Sequence, residues 1–188
     1  IIISTKVKEK NERNVSDQII QIAKENNGVV TTADITERGI LRGNIKTLLN
    51  SGKLERTARG VYILPEIWED EFVNLQARFR KGIFSNETAL FLLALTDRTP
   101  NRFDMTFPAT YNLTNVKKEQ IIALTVKKEW YEEGILQVRS PGENNIKVYN
   151  MERTLCDILR KRSGVDAGII VEACKRYAEM HDIEALCV

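Results

Sequence analysis

Apolar side chains recur every three to four residues over Val15, Ile19, Ile20, Ile22 and Ala23, which places them on one side of an α-helix. Asn14 or Ser16 supplies a side-chain oxygen for the N-cap, and Gly28 can close the helix at positive φ. A second, shorter helix is predicted over residues 33–38, capped by Thr31 or Thr32 and stopped by Gly39. The third runs through residues 40–50 to Gly52, with Ile45, Leu48 and Leu49 as its buried stripe. Gly39 then falls in the tight turn between helices two and three, where a helix-turn-helix needs one. Residues 53–57 read as a strand, Ala58-Arg59-Gly60 as a turn and residues 61–64 as the return strand. Three helices followed at once by a hairpin, within about sixty residues, predict a winged helix-turn-helix.

The pattern changes after Pro65. Trp68, Phe72, Leu75 and Phe79 predict an amphipathic linking helix over roughly 67–81. Ser85 is placed to cap a helix through residues 88–95 that is apolar on most sides and so buried. Phe103, Met105 and Phe107 alternate with Asp104 and Thr106, the pattern of a half-buried strand ending at Pro108. Further strands are expected over 121–126, 135–138 and 146–149. Two helices follow, 151–162 with Leu155, Ile158 and Leu159 inward, and 166–180 with Ile170, Cys174 and Tyr177 inward. The expected fold class is α+β, with a winged-helix domain over 1–65 and a mixed α/β domain over 66–188.

Composition narrows the function. The chain has 188 residues with 28 Lys plus Arg and 26 Asp plus Glu, a net charge of +2. That balance hides an asymmetry: residues 1–65 hold 11 basic and 7 acidic side chains, 11 − 7 = +4, and the remainder holds 17 and 19, or −2. A basic front module suits phosphate contact. No apolar run approaches the ~20 residues that cross a bilayer and no leader is evident, so a cytoplasmic protein without a membrane partner is expected. The start without Met suggests a trimmed N-terminus, and the segment from Ile1 to Arg13 reads as a frayed arm or an early helical turn.

Catalytic signatures are missing. Cys156, Cys174 and Cys187 form no C-x-x-C, and His181 is the one histidine, which argues against a disulfide framework, a structural zinc or any other metal site. Cys156 and Cys174 read as core thiols on helix faces. No Gly-x-Gly-x-x-Gly, Gly-x-x-x-x-Gly-Lys, Glu-x-Lys or Gly-Ser followed by Asp-x-Asp occurs, so neither an enzyme nor a cofactor is expected. The candidate chemistry is instead recognition of double-stranded DNA. Arg42, Asn44, Lys46, Thr47 and Asn50 lie off the buried stripe of the third helix, where they would meet base edges or phosphates. Lys53, Arg56 and Arg59 lie where a wing meets the backbone or the minor groove. The same residues would also suit the solvated face of a winged helix that binds protein.

The run from Ser85 through Asn86-Glu87-Thr88 to Thr99-Pro100 resembles the signature of the AbiEi-type antitoxins of type IV toxin–antitoxin systems. Thr106-Phe107-Pro108 with Tyr111-Asn112, the run from Val148 to Asp157, and Arg59-Gly60-Val61-Tyr62 in the front module are similar to it too. The resemblance spans roughly residues 15–180, with Asn86 and Leu93 standing where the family often has His, and relatives often carry more helix beyond the position of His181. It implies an antitoxin that represses its own operon by binding promoter inverted repeats, with self-association on the DNA open to it. It also implies that the rear domain counteracts an AbiEii-type nucleotidyltransferase toxin without a stable complex, in phage defence. Asp97, Arg98, Glu152, Arg153 and Asp157 are the polar residues of the family-like blocks. They read either as a structural network, Arg153 pairing with Asp97 or Asp157, or as a functional surface. The alternative function is a winged-helix protein whose C-terminal domain binds or acts on RNA or nucleotides.

Overall fold

Ile19, Ile22 and Ala23 are all buried, which fixes the inward side of helix α1 over residues 15–25. The computed structural model describes residues 15–67, 70–160 and 163–180; the N-terminal arm, Asn14, Trp68, His181 and Cys187 lie outside them. Ser16 lies inside α1, so it is no cap. Asn27 (φ 50°) and Gly28 (φ 87°) reverse the chain in succession, and the Gly28 N–H donates to the Ala23 carbonyl at 2.7 Å. A Cβ at Gly28 would collide with the Ile67 side chain, so two independent constraints demand glycine there.

The reversal delivers a strand that periodicity did not reveal, β1 (Val29–Thr31), followed by α2 (Thr32–Glu37), α3 (Gly43–Asn50), β2 (Glu55–Ala58) and β3 (Val61–Ile63). Helix α2 opens on a capping box: the Thr31 hydroxyl accepts from the Asp34 N–H at 3.1 Å and the Asp34 carboxylate accepts from the Thr31 N–H at 2.8 Å. The three strands form an antiparallel sheet in the order β1-β3-β2. Its two faces alternate as a pleat requires. Val30, Tyr62 and Leu64 join Ile19, Ile35, Ile45 and Leu48 in the core beneath the helices. Val29, Val61 and Ile63 pack with Val73 and Ala77 of α4 (Glu71–Arg78) on the other face. This is a winged helix with a third strand and a fourth helix behind its sheet.

Contacts divide the chain into two compact units: residues up to Arg78 together with Ser140–Asn144, and Phe79–Arg139 with the remainder from Asn145. The short return segment joins the first unit through Asp70, whose carboxylate accepts from the Ser140 hydroxyl, from Asn144 Nδ2 at 3.0 Å, and from the Phe72 N–H at 3.0 Å as the cap of α4.

The second unit is built on a five-stranded mixed sheet in the order β6-β5-β4-β8-β7. Its strands are β4 (Ile83–Phe84), β5 (Phe103–Pro108), β6 (Ile121–Val126), β7 (Ile135–Arg139) and β8 (Asn145–Tyr149). The helices are α5 (Asn86–Leu92), the short α6 (Lys128–Tyr131), α7 (Met151–Ile158) and α8 (Ala167–Met180). Strands β4–β5 and β7–β8 pair antiparallel, β4–β8 and β5–β6 parallel. Helix α5 packs on β5 and β8, α7 on α5, and α8 on α7.

Four expectations are corrected here. Ser85 holds the N-cap position of α5 but makes no side-chain cap bond; its hydroxyl accepts from Thr106 Oγ1 at 2.9 Å instead. Strand β5 is not half-exposed: Asp104 and Thr106 are as buried as Met105 and Phe107, because α5 covers the polar face. Cys156 is exposed and Cys174 half-buried, so neither is a fully buried core thiol. The inward stripe of α7 is Thr154, Leu155 and Ile158, with Leu159 61% exposed, and that of α8 is Ile169, Ala173 and Tyr177.

Candidate nucleic-acid interface

Helix α3 is held from below and bare above. Ile45 and Leu48 are buried and Leu49 packs against the same core, so the spacing of an α-helix turns Lys46, Thr47 and Asn50 to solvent. Arg42 stands just outside the helix, at its N-cap position, and is exposed. Its Nε donates to the Thr36 hydroxyl of α2 at 3.0 Å, a bond across the helix-turn-helix. Asn44 is half-buried, its amide donating to the Leu41 carbonyl at 2.9 Å. Gly39 (φ 70°) makes the turn before this segment and Gly52 (φ 67°) the turn after it. Between them, residues 39–54 contain no Asp or Glu, so Arg42, Lys46 and Lys53 meet no opposing charge along this stretch.

The wing carries the remaining cations. Lys53, Arg56 and Arg59 are all exposed, the first before β2, the second within it and the third in the turn to β3. A register shift between Arg56 and Ala58 marks a bulge, and Arg56 Nε donates to the Ala58 carbonyl at 3.2 Å. Thr57 turns the other way and donates to Asn74 Oδ1 at 2.9 Å, tying the wing to α4. All eight predicted contact residues therefore lie in one unit, on the α3 segment or the wing.

The polar residues of the second unit are engaged in contacts of their own. Asp97 does not meet Arg153; both its oxygens accept from the Arg176 guanidinium, at 3.1 and 2.5 Å, and that bond holds its carboxyl below the usual range. Arg153 instead bonds Asp157 at 2.7 Å and the Trp130 carbonyl at 2.9 Å, and lies 4.9 Å over the Tyr149 ring. Glu152 accepts from the buried Tyr177 hydroxyl at 3.0 Å. Arg98 is exposed, its backbone N–H donating to Thr96 Oγ1 at 3.2 Å. Arg176 was not singled out by sequence, since nothing in its helical pattern announces a partner 79 residues away.

Sequence reasoning also passed over Asp104. Burial, with the Glu87 carboxylate beside it, pushes this carboxyl up to about 7, while the Thr88 hydroxyl and the Asn86 side chain bond to the same residue. Asn86 is buried with φ 43°, a conformation that favours Asn among non-glycine residues. Among the described residues no group of three or more His, Cys, Asp and Glu is arranged to hold a metal ion, and no helix is long and apolar enough to cross a membrane.

Residues 17–65 match the AbiEi antitoxin family of transcriptional regulators. The match runs from α1 to just beyond β3, the three helices and the wing. The architecture is also similar to the crystal structure of the RV2827C protein from Mycobacterium tuberculosis, with a TM-score of 0.56 over 92% of this chain and 70% of that one. At 17% identity the likeness is one of fold. No curated protein matches the sequence. The AbiEi match thus coincides with the module that carries Arg42, Lys46 and Asn50 on a stretch, residues 39–54, without acidic residues.

Proposed function

We propose that this chain is an antitoxin and transcriptional autorepressor that binds inverted repeats in the promoter of its own operon through α3 and the wing. One observation carries the reading: Arg42, Lys46, Asn50 and Lys53 are exposed on the α3 segment, in a stretch (residues 39–54) without a carboxylate, within a module matching a transcriptional-regulator family. A helix of this size fits the major groove, where Arg or Lys pairs with guanine and Asn with adenine. Lys53 and Arg59 on the wing supply phosphate contacts. The second unit counteracts a nucleotidyltransferase toxin of the AbiEii type in a type IV system, without a stable complex between the two proteins and without catalysis of its own.

The test is a gel shift with a duplex of the upstream inverted repeat, against a random duplex of equal length. Wild type binds the repeat preferentially and loses affinity steeply with salt, and Arg42→Ala/Lys46→Ala abolishes the preference. Equal binding to both duplexes contradicts the repressor reading. For the antitoxin half, the same double variant, full length, still protects cells from the toxin; loss of protection moves that function to the winged helix.

A second reading places RNA or nucleotide binding in the second unit. It rests on Trp130, 47% exposed, with Lys127 and Arg160 each about 6 Å from its ring. Quenching of tryptophan fluorescence by single-stranded RNA, absent in Trp130→Ala, checks it.

A further inference from the structure

We infer that Leu41 reads the C5 methyl group of a thymine in the major groove, and so sets part of the sequence preference of the winged helix. The inference rests on the DNA-binding reading and names a chemical feature its operator must carry. Leu41 is 79% exposed, and it is the one exposed large apolar side chain among the described residues of the first unit. It immediately precedes Arg42, the N-cap residue of α3. Residues at the start of a recognition helix are those that face base edges.

Its surroundings are already committed. Ile40 packs against the core. Arg42 is bonded to Thr36 at 3.0 Å, and the Leu41 carbonyl accepts both from the Asn44 N–H at 3.2 Å and from the Asn44 amide at 2.9 Å. The backbone of Leu41 is therefore held in place while its side chain is left in water, so that only the side chain has to be ordered on binding. A protein partner would call for a contiguous apolar patch. Leu41 instead stands alone in a stretch, residues 39–54, whose charges are all positive. Base edges in the major groove offer donors and acceptors, and their single apolar group is the thymine methyl.

The experiment replaces thymine by uracil one position at a time through a half-site of the upstream inverted repeat, which removes only the methyl. Binding of the full chain, wild type and Leu41→Ala, is followed by fluorescence anisotropy at constant salt. For wild type, one uracil position per half-site weakens binding roughly three- to tenfold, the worth of one buried apolar contact. Leu41→Ala weakens binding to the all-thymine duplex by a similar factor, and the same uracil then costs it nothing further. Leu41→Met, which keeps an apolar reach, retains most of the uracil penalty. Unchanged melting temperatures show that the variants stay folded. If no uracil matters to wild type, if Leu41→Ala binds the all-thymine duplex like wild type, or if the two penalties multiply, the inference is overturned while repeat binding stands. A wild type that prefers no duplex over random DNA overturns the repressor reading and this inference with it.

Discussion

Asp70 and Ser140 lie seventy residues apart in sequence, yet the Ser140 hydroxyl donates to the Asp70 carboxylate. The same carboxylate caps α4 through Phe72 and takes a bond from Asn144 Nδ2 at 3.0 Å, so one buried side chain joins a helix start to a distant loop. Asp70→Ala strands a hydroxyl, an amide and a backbone N–H in a buried site. The expected loss is about 2–4 kcal/mol, read by urea denaturation. A change below about 0.5 kcal/mol would show that water replaces the carboxylate without cost.

Asp104 makes stability depend on pH in an unusual direction. Its carboxyl is pushed up to about 7 in the fold and titrates near 4 in the unfolded chain. The folded state therefore holds an extra proton between those values, and its stabilising effect is complete below about pH 4 and lost as pH rises through about 7. Asp104→Asn keeps the neutral form at every pH. Melting temperatures of the variant stay above those of wild type at pH 8, and the difference shrinks towards pH 5. Parallel curves for the two proteins would refute the assignment.

If the proposed DNA-binding reading holds, the wing cations should act on salt dependence more than on sequence preference. Lys53→Ala and Arg59→Ala should each lower the slope of log affinity against log salt by roughly one. Asn50→Ala should leave that slope alone and relax preference at one base pair. Anisotropy titrations between 50 and 200 mM salt distinguish the two behaviours; equal slopes for all three variants would remove the wing from the interface.

Cys156, exposed on α7, should react with a thiol reagent in the native protein, ahead of the half-buried Cys174. Peptide mapping after a short iodoacetamide pulse locates the label. Equal labelling of both sites would show that α7 and α8 open readily.

The front module was legible because its signals are local. Helix period, the threonine cap before α2, and glycines at 28, 39, 52 and 60, all with positive φ, act within a few residues of themselves. The candidate DNA-contact residues followed from the α3 stripe and the predicted wing, and seven of the eight are exposed, Asn44 being half-buried. Strands β1 and β4, three and two residues long, are too short to show a period and exist through their partners Val61–Ile63, Met105–Thr106 and Val148.

By itself the amino-acid sequence determined where the front module turns, which residues of α1 and α3 face inward, and that a basic winged helix precedes an α+β domain. Tertiary structure decided what covers each outward face. It buried Asp104 and Thr106 under α5, exposed Cys156, paired Asp97 with Arg176, carried Ser140 to Asp70, and left Leu41 largely exposed. Periodicity describes one element against its own axis, whereas burial and pairing belong to two elements brought together from distant parts of the chain.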